Sequence, residues 1–272
     1  MAGTEKGART VETLLFAKIL VTMTVVTGLS LIAEYASPRL SGILAGYPHG
    51  VAIVLFFIGM EQGADFAARA AVYTLAGLAA NVAFAWAYWR GLKLFRAHDM
   101  PAAPLMALAV FFAFAALFSG LPLGAPGAAA LAAAFIALAG WLMRREEDVR
   151  IARDVPIGWR EIALRALAAA AIVVAITTAA RLIGPHWAGL LAGFPIVTFP
   201  FLLIIHAGYG KTPVLTILKA YPTGLGSLVV YALTAAYAFP AIGVAWGTLA
   251  GFSAATAWLL AFQAIMRPRA RA

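Results

Sequence analysis

Pro38-Arg-Leu-Ser-Gly-Ile-Leu-Ala-Gly-Tyr-Pro48 and Pro185-His-Trp-Ala-Gly-Leu-Leu-Ala-Gly-Phe-Pro195 repeat one pattern at an offset of 147 residues. Six of the eleven positions are identical: Pro38/Pro185, Gly42/Gly189, Leu44/Leu191, Ala45/Ala192, Gly46/Gly193 and Pro48/Pro195. Ser41/Ala188, Ile43/Leu190 and Tyr47/Phe194 are conservative changes, and at the same offset Lys18 meets Arg165 and Gly63 meets Gly210. Apolar helices rich in Ala and Leu align by chance. Pro and Gly at fixed spacing do not, because backbone geometry dictates where each is needed. An internal duplication is expected.

The sequence around the two copies is membrane-like. Of 272 residues, 64% are hydrophobic and 11% charged, with a mean hydropathy of +0.92. A soluble domain carries roughly 45–50% apolar and about 25% charged residues, so a soluble fold, a disordered chain and a coiled coil are all excluded. The absence of cysteine removes disulfides and thiol chemistry. A spanning helix needs about 20 apolar residues and satisfies its own backbone in lipid. Spans are therefore expected at 12–34, 40–60, 66–90, 103–120, 127–144, 160–183, 187–207, 213–238 and 241–266, about nine transmembrane helices in an all-α integral membrane protein. The first run is longer than a signal-peptide core and lacks a clean cleavage site after Ala33, so it is read as retained.

Loop charge orients the bundle. The net charge is +9, a balance that would suggest nucleic acid in a soluble protein. Here the basic residues stand between apolar runs, so nucleic acid is not expected. With the N-terminus outside, thirteen of the twenty basic residues fall in cytoplasmic loops and four outside. That distribution obeys the positive-inside rule and predicts a multi-pass protein of the cell inner membrane, N-terminus out and C-terminus in. The segment from Arg144 to Arg165 mixes six arginines with five acids and marks the connection between halves. The organisation read is a first membrane repeat with one extra helix (1–147), a charged cytoplasmic linker (148–159) and a second repeat (160–272), the extra helix being placed at 103–120.

Five spans precede the second copy, and an odd number reverses its direction. Inverted structural repeats of this kind build secondary transporters, whose sites lie near the bilayer midplane at interrupted helices. Interruptions are expected at Gly46-Tyr47-Pro48-His49-Gly50 and at Gly193-Phe194-Pro195, with Pro200 beyond. Each proline removes a donor and frees carbonyls, which lipid tolerates only when they face protein or a wet cavity.

The second half, with Leu191-Ala-Gly-Phe-Pro195, Phe199-Pro200, Ile204-Ile205-His206 and Leu218-Lys219-Ala220, resembles the GlpM-like family of small four-helix inner-membrane proteins. The first half is similar to it more loosely: Leu44-Ala-Gly-Tyr-Pro48 is kept, but Gly59 stands where His206 falls and Val54 replaces the second proline. The resemblance implies a four-helix membrane unit present twice, and by itself no activity.

Ionisable groups inside lipid are costly and mark function or structure. Tyr47, Pro48, His49, Asn81, Phe194, Pro195 and Thr198 are the candidate substrate-binding residues, because they sit at the breaks or near mid-span. Glu61, Lys18 and Arg165 are candidate proton or gate residues, although snorkelling to the headgroups is the favoured reading of the two cations. His206, near a helix end, reads as interfacial. No nucleophile elbow, zinc-binding His pair or phosphate loop occurs, so neither an enzyme nor a cofactor or metal site is expected. The function expected is a small secondary transporter or flippase-like permease with a midplane site between the repeats. The alternative is a non-transporting membrane partner or assembly protein. The partners that follow are the bilayer, with anionic lipids on the cytoplasmic side, and an unknown small-molecule, ion or lipid substrate. A homo-oligomer is compatible with either reading.

Overall fold

The computed structural model describes residues 2–35, 47–95, 98–143 and 158–266, which form eight helices and no strand. They are α1 (Ala2–Tyr35), α2 (His49–Gln62), α3 (Ala64–Leu94), α4 (Asp99–Ser119), α5 (Ala125–Met143), α6 (Trp159–Ala192), α7 (Thr198–Tyr209) and α8 (Lys211–Met266). Five stretches are long and apolar enough to cross a membrane: α3, α4, α5, α6 and residues 224–264 of α8. Two more apolar helices, α2 and α7, are shorter. The chain is an all-helical, multi-pass, membrane-embedded bundle.

Glycines punctuate it. Gly63, Gly184, Gly210 and Gly243 have φ of 91°, 75°, 75° and 82° with extended ψ, a conformation essentially closed to residues with a β-carbon. Each turns the chain between two helical stretches within a single residue. The expected span 187–207 is consequently two pieces, the end of α6 after Gly184 and then α7. The spans 213–238 and 241–266 fall on the two helical stretches of α8, which Gly243 separates. Pro240 stays inside the helix and does not break it. Residues 38–46 of the first copy and residues 148–157 of the linker lie outside the described residues.

Helix α3 is the axis of the bundle and packs against α4, α8, α6, α5 and α2. It is buried on all sides because its side chains are mostly small, so neighbouring backbones come close. A β-carbon at Gly189 would overlap the Ala70 carbonyl, and one at Gly77 would overlap that of Leu190. The 185–192 stretch of α6 thus climbs α3 in parallel, backbone against backbone. The 211–242 stretch of α8 runs antiparallel to α3, since Asn81 meets Tyr221 while Leu75 clusters with Ala232. The outer helices expose Phe16, Leu105, Leu138, Leu182 and Leu249, surfaces that suit lipid and would be costly in water.

Candidate functional site

The second copy of the repeated pattern ends in a break of the helical backbone. Gly193 closes α6, its amide bonded to the Gly189 and Leu190 carbonyls at 3.1 Å each. Pro195 contributes no donor, and α7 starts at Thr198. The Gly193 carbonyl is taken up from outside the segment: Asn81 Nδ2 donates to it at 2.9 Å. The Tyr221 hydroxyl donates to Asn81 Oδ1 at 3.1 Å and also hydrogen-bonds Thr198. Asn81, Thr198 and Tyr221 are all buried, so helices α3, α7 and α8 are joined by polar contacts at the break. Phe194 lies edge-on to Phe84, Phe111 and Phe199, with centroids 6.0, 5.0 and 5.6 Å away.

The start of α2 carries the same backbone hydrogen-bond pattern as the start of α7. Tyr47 and Pro48 precede α2, and the Tyr47 and Pro48 carbonyls accept from the amides of His49 and Ala52 at 2.8 Å each. The Tyr47 ring stacks on Phe252 of α8 at 5.8 Å, and its hydroxyl pairs with Thr256 Oγ1 at 2.8 Å. His49 is only 6% exposed, and its Nδ1 has no hydrogen-bond partner.

The two breaks touch. A β-carbon on Gly50 would lie 3.6 Å from the Val197 side chain and 3.7 Å from Ile196. Gly50 and Val197 are themselves 147 residues apart. Both helices that begin here lack a side-chain cap, because Pro48 and Val197 occupy the N-cap positions. The starts of two apolar helices therefore lie side by side.

The charged candidates divide. Lys18 is 3% exposed and pairs with Glu61 at 2.6 Å. This pair lies at the far end of α2, about 18 Å along the helix from the break, so it is remote from the other candidates. Arg165 is 9% exposed, donates to Ser30 Oγ at 3.0 Å and lies over the Phe201 ring at 4.4 Å. Its Nε–H has no hydrogen-bond partner. Neither cation extends to the surface as a snorkelling side chain would.

His206, placed at an interface by its position near a helix end, is buried. Its Nδ1 lies 3.2 Å from the Tyr88 hydroxyl and its Nε2 3.8 Å from Asp99, which Lys211 also approaches at 3.5 Å. Among the described residues no three His, Asp or Glu side chains gather as a metal site would require.

Sequence reasoning identified Asn81, Phe194, Pro195, Thr198, Tyr47, Pro48 and His49, and the structure brings these together around the two breaks. It missed Tyr221, Ser30 and Thr256. Tyr221 carried a signal, a polar tip next to Pro222 inside an apolar run. Ser30 and Thr256 carried none, since small hydroxyls in lipid-embedded helices usually bond back to their own helix, as Ser30 also does to Val26.

No protein-family model matches the chain, and neither the curated proteins nor the solved structures contain a match to it.

Proposed function

We propose that the protein is a small secondary transporter or flippase-like permease of the inner membrane, built from two inverted repeats that meet at the paired helix breaks. The observation that carries this reading is the contact of Gly50 with Val197. Equivalent positions of two copies touch each other only near a two-fold axis that relates them. The surrounding contacts agree. Tyr47 of the first copy stacks on Phe252, which in turn contacts Tyr231, while Phe194 of the second packs on Phe84. Phe84 and Tyr231 are again 147 residues apart, so each break lies against the opposite repeat. Gly63 and Gly210, a further matched pair, make the same one-residue turn after the broken helix.

The same offset pairs α4 with the 246–266 part of α8. The helix without a counterpart is then α5, not the 103–120 span to which the sequence alone assigned that role. One extra helix reverses the second copy, and with the loop charges this supports the N-out, C-in orientation. Each half is then a GlpM-like four-helix membrane unit, on the residues that carry that resemblance.

Alternating access about the breaks makes a specific expectation for this cysteine-free chain. Tyr47→Cys and Phe194→Cys, made separately and reconstituted in vesicles of known orientation, should each react with a membrane-impermeant maleimide from one face only, and from opposite faces. A rigid, non-transporting assembly protein would leave both thiols inert from either side, and that result would remove the transporter reading.

A further inference from the structure

We infer that His206 is a proton-binding residue, and that its protonation opens the end of the bundle at which α7 finishes, so that a proton is the coupling ion. The inference rests on the transporter reading for its purpose. Its chemistry rests on the cluster around the imidazole.

Four helices meet at that end. The His206 side chain, in the last turn of α7, is buried between the Tyr88 hydroxyl of α3 and the Asp99 carboxylate that opens α4. Tyr88 lies 3.2 Å from Nδ1, and Asp99 lies 3.8 Å from Nε2. Lys211, the first residue of α8, reaches the other carboxylate oxygen at 3.5 Å. Arg165 of α6 lies over Phe201, more than one turn earlier on α7, and Tyr209 follows within a turn. Asp99 and Lys211 are partly exposed while His206 and Tyr88 are buried. The cluster therefore runs from the surface to an imidazole inside. None of its members Tyr88, Asp99, His206 and Lys211 is repeated 147 residues away, where Ala235, Trp246, Gly59 and Ala64 stand. The cluster marks one face of the bundle only.

The partners select the tautomer. A carboxylate has no hydrogen to give, so the ring nitrogen facing it carries one, and Nδ1 is left to accept from the Tyr88 O–H. A further proton, given up by a hydronium ion that leaves as water, resides on Nδ1 and makes an imidazolium; no other bond changes. Nδ1 then donates to the Tyr88 oxygen, and the hydrogen of that fully buried hydroxyl loses its acceptor. A buried donor without a partner is costly. With Lys211 beside it, the protonated cluster also carries a net positive charge, which favours water over the interior. Both costs are relieved when the end of α7 moves off α3. Deprotonation restores the Tyr88 bond and closes that end. The movement reaches the break because α7 starts there, at Thr198, and because Phe84, one turn before Tyr88, packs on Phe199 at 5.6 Å.

The test uses the full-length protein in nanodiscs with 13C-labelled histidine, followed by NMR as pH is varied. His206→Gln identifies the His206 resonance among the four histidines, and His206→Asn serves if that variant does not fold. The resonance should titrate between about pH 5 and 8. Asp99→Asn should lower its midpoint by about one pH unit or more, since a carboxylate beside the ring favours the imidazolium. Lys211→Gln should raise it by less, because the ammonium is farther from the ring and more exposed. A resonance that does not titrate, or a midpoint that Asp99→Asn leaves in place, overturns the inference. Coupling is read from Phe194→Cys, whose labelling rate by impermeant maleimide is divided by the rate in the same variant carrying His206→Gln. The ratio cancels the titration of the thiol itself. Gln offers one donor and one acceptor, like the neutral ring, so the ratio should be near unity in alkali. It should rise several-fold in acid, because opening the end of α7 uncovers the residues just before its start. A ratio independent of pH also overturns the inference. If Tyr47→Cys and Phe194→Cys are both inert, the transporter reading fails, while the histidine titration decides the proton site by itself.

Discussion

Asn81 shows how one side chain makes a break in a lipid-embedded helix tolerable. Its amide nitrogen caps the Gly193 carbonyl and its oxygen receives the Tyr221 hydroxyl, so one residue satisfies a carbonyl at the end of α6 and anchors α8. At the matched position, 147 residues on, stands Leu228, also buried. The repeated sequence pattern therefore does not extend to this side chain. Asn81→Leu keeps the volume, leaves the Gly193 carbonyl without its partner and takes one of two partners from the Tyr221 hydroxyl, so it should cost about 1–3 kcal/mol of stability. Tyr221→Phe should cost less, because Asn81 can still donate to Gly193. Thermal unfolding of the two single variants and the double variant checks this. The double variant should lose clearly less than the two single losses together, since one network is broken in each. Additive losses would mean that Asn81 and Tyr221 act separately.

At the scale of elements, the fit of the 185–192 stretch against α3 depends on glycines facing backbone. Gly77→Ala and Gly189→Ala should each destabilise the bundle by about 1–3 kcal/mol, because the obstructing atoms are carbonyl oxygens that cannot swing aside. Gly140→Ala, in α5, adds a β-carbon with no heavy atom within 4 Å and should be close to neutral. Equal effects at all three positions in a thermal-unfolding series would deny the close packing. The same elements show what the sequence makes legible. Hydropathy marked the helices because lipid imposes one rule along their whole length. Gly-x-Pro marked the breaks because only those residues make them. The neutralisation of Lys18 by Glu61, and the approach of Arg165 to Ser30, were not legible, since each joins residues 43 and 135 positions apart along the chain. Whether a buried cation is paired is decided by how helices pack, and the spacing of charges along one chain does not carry that information.

At the scale of the whole molecule, the relative direction of the helices decides whether the halves are inverted. Helix α3 and the 211–242 stretch of α8 lie 147 residues apart in sequence, and their contacts run antiparallel: residue 81 against 221, and 75 in one cluster with 232. The start of α6, at Arg165, lies beside the last turns of α1, at Ser30, as an antiparallel second pair would place them. If both pairs are antiparallel, every matched position must lie at opposite depth in the membrane. Gln62 and Tyr209 are 147 residues apart and end α2 and α7, each just before a glycine turn. Neither is fully buried. Gln62→Cys should therefore be labelled by an impermeant maleimide in intact cells, and Tyr209→Cys only after the membrane is opened. Gly158→Cys, exposed at the start of α6, should follow Tyr209→Cys, because both belong to the face rich in basic residues. Labelling of Gln62→Cys and Tyr209→Cys from the same side would break the inverted arrangement whatever the orientation. Opposite labelling with Tyr209→Cys outside would keep the inversion and reverse the topology that the loop charges support.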